Sequence, residues 1–169
     1  MIQTVTRLGT EAMAEVLSSA ETIAFTRCAI GSGVFNPATM DARDRTALIN
    51  SVASVDITIV RKEDDGVAVV ADMDNTIIPG GTKIREMGLF AKPNGGTEIL
   101  FAYAYTTEPE TVPPRTEATY ERRFISHIAM SDDELELVVT LNTYAEAIFE
   151  ALGFSVVDGE LCQTYLEGE

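Results

Sequence analysis

Basic residues are scarce in this sequence. Its 169 residues include 12 Lys and Arg against 27 Asp and Glu, which gives a formal net charge of −15. A chain with this charge repels the phosphates of nucleic acids and anionic membrane surfaces. The composition therefore argues against nucleic acid and membrane as partners and favours a protein partner or a cationic one.

Cysteine and histidine are also rare. The two cysteines, Cys28 and Cys162, belong to no CxxC or Cys/His pattern, so they predict neither a disulfide framework nor a zinc site. The one histidine, His127, lies in a strand pattern without a motif partner, which is typical of an ordinary strand residue. An acidic run that begins at Asp72 lacks the glycine and glutamate that an EF-hand loop needs. We expect no metal, no cofactor and no catalytic site, and hence no enzyme.

Long hydrophobic runs are missing as well. No stretch approaches the ~20 apolar residues of a membrane span, and the first residues do not form a signal peptide. We therefore expect no membrane insertion and synthesis in the cytoplasm. The 46% of hydrophobic residues is enough to close one core.

The hydrophobic residues that are present follow helix and strand periods. Apolar residues at helical spacing predict a helix over residues 8–20, capped by Thr6 or Thr10, and alternation predicts a strand from Ile23 that ends at Gly31 and Gly33. Residues 35–50 stay undecided between loop and short helix. Three antiparallel hairpins are predicted from residues 52–61 with 67–73, 82–91 with 98–105, and 120–130 with 134–141. A proline-rich segment, residues 106–119, is expected to be an extended arm or loop.

The last quarter of the chain carries most of the negative charge. Residues 131–169 contain ten acidic residues and no Lys or Arg. A capping box at Thr143 begins a short predicted helix over residues 143–152, followed by a strand at 154–157. Its apolar stripe consists of Tyr144, Ile148, Phe149 and Leu152. We interpret residues 142–169 as an attachment element for a partner, and residues 1–141 as the main domain. The predicted fold class is α+β, a mainly antiparallel sheet with an N-terminal and a short C-terminal helix.

Five further residues are expected to shape the backbone or an interface. Gly31 and Gly33 suit a turn with positive φ, and Gly88 suits a bulge or a close backbone approach. Arg85 and Glu86 form a charged pair inside an apolar strand. Adjacent strand residues face opposite ways, so one of the two charges points outward and the other forms an ion pair within the protein. The alternative is that the pair contacts a partner. We take the pair as a candidate partner interface.

Several strings occur in an order that resembles the phage tail-collar fibre family. They are TRLG at residues 6–9, AIGSG at 29–33, IREMGLF at 84–90 and the aromatic-rich strand at 101–105, followed by an arm that contains Pro109. The resemblance covers roughly residues 6–147. In that family this domain begins many tail-fibre proteins of contractile-tailed phages and phage-tail-like particles.

The resemblance implies an attachment role. It suggests a non-enzymatic structural protein of a virion tail or phage-tail-like particle, made in the bacterial host and fixing a fibre or another tail part to the baseplate. Baseplate and tail-fibre proteins would be its partners, and the fibres of this family are generally homotrimers. Two alternatives stay open at this point, a receptor- or glycan-binding module and, third, a tail-associated hydrolase that would need paired carboxylates.

Overall fold

A computed structural model describes residues 1–19, 22–63, 66–129, 154–157 and 160–163. Its α-helix is α1, Arg7–Ser19. A short 3-10 helix spans Ala42–Asp44. The strands, in chain order, are β1 Ile2–Val5, β2 Ile23–Gly31, β3 Ser51–Glu63, β4 Gly66–Asp74, β5 Lys83–Pro93, β6 Ile99–Thr111, β7 Glu121–Ala129, β8 Phe154–Val157 and β9 Glu160–Gln163.

The predicted α+β class with two helices is wrong. Most of the described residues lie in strands, and the described part of the chain shows one α-helix and a seven-stranded sheet curled into a half-barrel. A curled sheet packs apolar side chains of its own strands against one another, so it needs less helix to cover its core. The predicted C-terminal helix over residues 143–152 is not seen, and these residues lie outside the described part of the chain.

The sheet has the strand order β1-β6-β5-β2-β3-β4-β7, and each of its neighbouring pairs is antiparallel. Two predicted hairpins are confirmed, β3 with β4 and β5 with β6. In the five-residue connection of the second hairpin, between Pro93 and Ile99, Asn94 at φ 48° and Gly95 at φ 66° take the left-handed conformation. The first strand of the third predicted hairpin is β7, which pairs with β4, while residues 134–141 lie outside the described residues.

Thr6 begins the helix and anchors it to the sheet. Its side chain is fully buried, and its Oγ1 accepts a hydrogen bond from the Gly9 amide at 3.0 Å, which is the predicted N-cap geometry. The same hydroxyl donates to the Leu100 carbonyl at 2.5 Å. On the helix, Ala12 and Val16 are buried in one cluster with Phe101 of β6. These contacts hold the helix on the sheet.

The proline-rich segment, which was expected to be an extended arm or loop, is regular structure in its first part. Its first part continues β6 as far as Thr111, and the next residue, Val112, is fully buried. Asn75 then holds the rest of the segment, because its Nδ2 donates to the carbonyls of Pro113 at 3.1 Å and Ala118 at 2.8 Å. Hydrogen bonds from a buried asparagine thus fix this segment, which has few apolar side chains to pack.

The chain divides into two compact units, Met1–Val139 and Thr140–Glu169. In the second unit β8 pairs antiparallel with β9, with Phe154 opposite Gln163. This confirms the predicted strand at 154–157 and adds β9, which the sequence patterns did not predict. In the described residues no helix has the length and apolar character that a membrane crossing needs.

Candidate functional site

The most unusual side chain in the sheet is a buried carboxylate, that of Glu86 on β5. Its exposed fraction is 0%. One oxygen, Oε1, accepts hydrogen bonds from the amides of Gly33 at 2.9 Å and Asn50 at 2.7 Å. The other, Oε2, accepts from the Ile49 amide at 2.8 Å and the Tyr103 hydroxyl at 2.8 Å. Four donors therefore converge on one carboxylate.

Neutral donors compensate this charge. Among the residues that the structure describes, no Lys, Arg or His forms a salt bridge with Glu86. Burying a carboxylate without partners is very costly, and hydrogen bonds to an ionised acceptor are about twice as strong as neutral ones. Burial, and secondly the hydrogen bond to Glu86, raises the pKa of Tyr103, so its hydroxyl stays a proton donor.

The hydrogen bonds to Glu86 close the base of a long irregular segment, residues 32–50, which we call the clamped loop. Gly33 lies at its start, and Ile49 and Asn50 lie at its end. The two ends also bond to each other directly, since the Ser32 amide donates to the Asn50 carbonyl at 3.0 Å and the Asn50 side chain donates to Ser32 Oγ at 2.7 Å. Loops of this length in compact domains are usually functional or disordered. A buried glutamate fixes the geometry of this one.

Aromatic packing and polar contacts hold the middle of the clamped loop. Phe35 is buried, with its ring centroid 4.3 Å from that of Tyr105 and 5.6 Å from that of Tyr103. Asp41 caps the 3-10 helix by accepting from the Arg43 amide at 2.8 Å. An ion pair between Asp44 and Arg7 ties this helix to α1.

The three predicted glycines all border this site, although not for the expected reason. Positive φ occurs at Gly81 and Gly95 among the glycines with described backbone, so the positive φ expected at Gly31 and Gly33 is absent. A Cβ on Gly31 would lie 2.5 Å from Glu86 Cγ, and one on Gly33 would overlap Glu86 Oε1. A Cβ on Gly88 would lie 2.5 Å from Cδ1 of Leu48 in the clamped loop. The glycines therefore provide space for the loop and its carboxylate.

Of the predicted interface residues, the structure describes Arg85 and Glu86. Glu86 is fully buried, and its carboxylate accepts hydrogen bonds from internal donors. Arg85 is half-buried at a bulge of β5 between Ile84 and Glu86. The four residues of the predicted apolar stripe, Tyr144, Ile148, Phe149 and Leu152, lie outside the described residues.

Sequence patterns had not singled out the outer surface of the clamped loop. Three aliphatic side chains are exposed there, Val34 at 64%, Met40 at 39% and Ile49 at 37%. Beside Met40 an open cleft of about 480 Å³ lies between the loop and β1.

The other candidate groups have ordinary structural surroundings. His127 is exposed, and its Nδ1 lies 2.9 Å from Glu63 Oε2. The hydrogen bond with His127 is the main cause of a lowered pKa of Glu63, and the hydrogen bond with Arg61 is the second. Burial raises the pKa of the Cys28 thiol to about 12, so it is a protonated core residue. No cluster of three or more His, Cys, Asp or Glu side chains suited to a metal ion occurs in the described part of the chain.

Comparison with known proteins adds no relative. No protein-family model, no curated protein and no solved structure matches the chain. The resemblance to the tail-collar fibre family therefore rests on the strings in the sequence.

Proposed function

We propose that this protein is a non-enzymatic structural component of a phage tail or a phage-derived contractile particle, in which it attaches a fibre or another tail part to the baseplate. One observation carries the proposal. Two strings of the resemblance meet in space, because Gly33 of AIGSG donates its amide to Glu86 of IREMGLF at 2.9 Å. Residues that lie far apart in sequence thus serve one purpose, the fixing of the clamped loop.

A loop fixed in this way suits a permanent attachment. Ordering a loop when a partner binds costs free energy, and a loop that is already ordered avoids this cost. The side chains of Val34, Met40 and Ile49 stay in water on the isolated chain, and covering them would contribute roughly 25 cal/mol per Å² of buried apolar surface. We propose the outer surface of the clamped loop as the attachment surface.

The same surface favours a protein partner over the alternative of a glycan. Sugar rings usually stack on exposed aromatic faces, and among the described residues none of the large exposed hydrophobic side chains is aromatic. Phe35, which is in the clamped loop, is buried. A glycan array gives the separate test, since specific glycan binding would favour the receptor-binding alternative.

The remaining parts of the proposal concern assembly. We propose baseplate and tail-fibre proteins as partners, the tail of the particle as the location, and a homotrimer as the oligomer. Light scattering coupled to gel filtration tests the last point, and a monomer at all micromolar concentrations would contradict trimer formation outside the particle.

Incorporation into purified particles tests the proposed function. In cells that assemble the tail, we compare the wild-type protein, a loop variant with Val34→Lys and Met40→Lys, and a control with Ile59→Lys and Ile77→Lys. The control residues are 43% and 47% exposed and lie outside the loop, on β3 and after β4. We expect quantitative mass spectrometry of particles to find the wild-type and control proteins but not the loop variant. Absence of the wild-type protein from particles would contradict the tail assignment, and incorporation of the loop variant would contradict the attachment surface.

A further inference from the structure

The first strand forms an edge of the sheet. Within the part of the chain that the structure describes, β1 pairs only with β6, with Ile2 opposite Tyr105 and Val5 opposite Ala102. An edge strand presents a row of unpaired backbone groups and can accept another strand. Such an edge is a potential binding site when the side chains of the edge strand also line a cleft.

The register shows which backbone groups of β1 face outward. The Thr6 amide donates to the Phe101 carbonyl at 2.9 Å, which continues the β1–β6 register by one pair. Hydrogen-bonded pairs recur at every second residue of an antiparallel ladder, so Thr4 and Ile2 also direct their backbone groups toward β6. The N–H and C=O groups of Gln3 and Val5 therefore point away from the sheet.

Side chains of β1 line the cleft beside this edge. Ile2 and Thr4 line it together with Met40 of the clamped loop and Tyr105 of β6. Met1 and Gln3 line a different cavity, as the alternation of a strand requires. Ile2 is 60% exposed and Met40 39% exposed. A strand added to β1 would therefore direct alternate side chains to the mouth of this cleft, beside Ile2 and Met40.

We infer that β1 is an acceptor site for an extended segment of a partner protein, which adds to the sheet as a further strand. The backbone of Gln3 and Val5 supplies the hydrogen bonds, and the cleft receives apolar side chains at alternate positions of the segment. This is strand addition, in which main-chain bonds give affinity and pockets give specificity. The inference does not depend on the proposed tail function, since any protein with such a segment fits the site.

Charge defines the partner further. Of the described residues that line the cleft, Asp41 is the one with a charged side chain. This carboxylate attracts a basic residue of the segment and repels an acidic one. The segment should therefore have aliphatic residues at alternate positions and a Lys or Arg beside them.

A proline substitution tests the site with little effect on the fold. The probe is the unlabelled peptide acetyl-Lys-Val-Thr-Val-Thr-Val-Lys-amide, which is titrated into the full chain and followed by isothermal titration calorimetry. Gln3→Pro removes an N–H that points away from β6, and proline is tolerated in edge strands at such positions. Gln3→Ala keeps the N–H and is the matched control. Met40→Lys places a positive charge at the cleft.

We expect saturable binding to the wild-type protein and to Gln3→Ala, and at least about tenfold weaker binding to Gln3→Pro and Met40→Lys. Melting temperatures of Gln3→Pro and Gln3→Ala should agree, which excludes unfolding as the cause. A peptide in which Glu replaces both Lys residues should also bind more weakly. Failure of the wild-type protein to bind the probe, or equal binding by Gln3→Pro, would overturn the inference. If the wild-type protein self-associates and Gln3→Pro abolishes this association, then a second copy of the chain occupies the site. That result would overturn the inference of a partner segment.

Discussion

Glu86 and Gly33 contact each other so closely that position 33 has no room for a side chain. The Gly33 amide donates to Glu86 Oε1 at 2.9 Å, and a Cβ on Gly33 would overlap both that oxygen and the side chain of Ile49. The contact joins the middle of the sheet to the start of the clamped loop. It turns a glycine and a glutamate 53 positions apart into one structural unit.

Gly33→Ala should destabilise the protein through steric overlap. We expect a loss of about 2 kcal/mol or more in the free energy of unfolding, measured by urea denaturation, because buried backbone and Glu86 must shift. Gly95 is the control: its φ is 66° and nothing lies within 4 Å of an added Cβ, so Gly95→Ala should lose about 1 kcal/mol through backbone strain. Asn tolerates positive φ, so Gly95→Asn should recover stability whereas Gly33→Asn should not. Equal losses for Gly33→Ala and Gly95→Ala would count against this explanation.

Glu86→Gln should weaken the clamp because an amide has one accepting oxygen instead of two. Its NH₂ group would face backbone donors, and at least one buried N–H would lose its acceptor, at a cost of about 1–3 kcal/mol on top of the lost charge-assisted bonds. Tyr103→Phe removes only one of the four donors and should cost about 1–2 kcal/mol. Urea denaturation of both variants gives the comparison, and a Glu86→Gln protein as stable as the wild type would contradict the role of the carboxylate.

Stability should fall in alkali because of Cys28. Burial raises the pKa of its thiol to about 12 in the folded protein, against about 8.5 for an exposed cysteine. Above about pH 8.5 the unfolded chain releases this proton first and the folded chain keeps it, so the free energy of unfolding decreases as the pH rises. The slope should approach about 1.4 kcal/mol per pH unit between roughly pH 9 and 10.

The control for this pH dependence is Cys28→Ala, which has no thiol to ionise at position 28. Its free energy of unfolding should lack the decrease with pH that Cys28 causes. Both proteins carry Cys162→Ser so that only one thiol differs. Urea denaturation at several pH values provides the measurement. An identical slope in the two proteins would show that other groups cause the alkaline loss.

Much of the sheet was predictable from local patterns. The β3–β4 and β5–β6 hairpins follow from alternation and from turn residues such as Asn94 and Gly95, and α1 follows from its apolar spacing and its Thr6 cap. β1 was missed because four residues are too few to show a period, and its partner Tyr105 lies far along the chain. The end of β6 was missed because Pro109 and its polar neighbours do not resemble a strand.

The site was much less predictable than the sheet. An acidic residue inside the apolar string IREMGLF was the available signal, and it fits a buried carboxylate as well as an interface. The carboxylate is buried because it has donors, which include the backbone amides of Ile49 and Asn50. Every residue except proline carries such an amide, so the sequence does not mark these donors. Only the fold shows that these amides meet at Glu86, and that the three glycines leave room for them.

Amide hydrogen exchange tests the clamp most directly. NMR would follow the amides of Gly33, Ile49 and Asn50 in the wild-type protein and in Glu86→Gln, with core amides of β4 as the internal reference. The structure predicts that all three exchange slowly in the wild type, and that they exchange at least about tenfold faster in the variant while the β4 amides change less. Fast exchange of the three amides in the wild type, or unchanged protection in Glu86→Gln, would contradict the conclusion that Glu86 holds the loop.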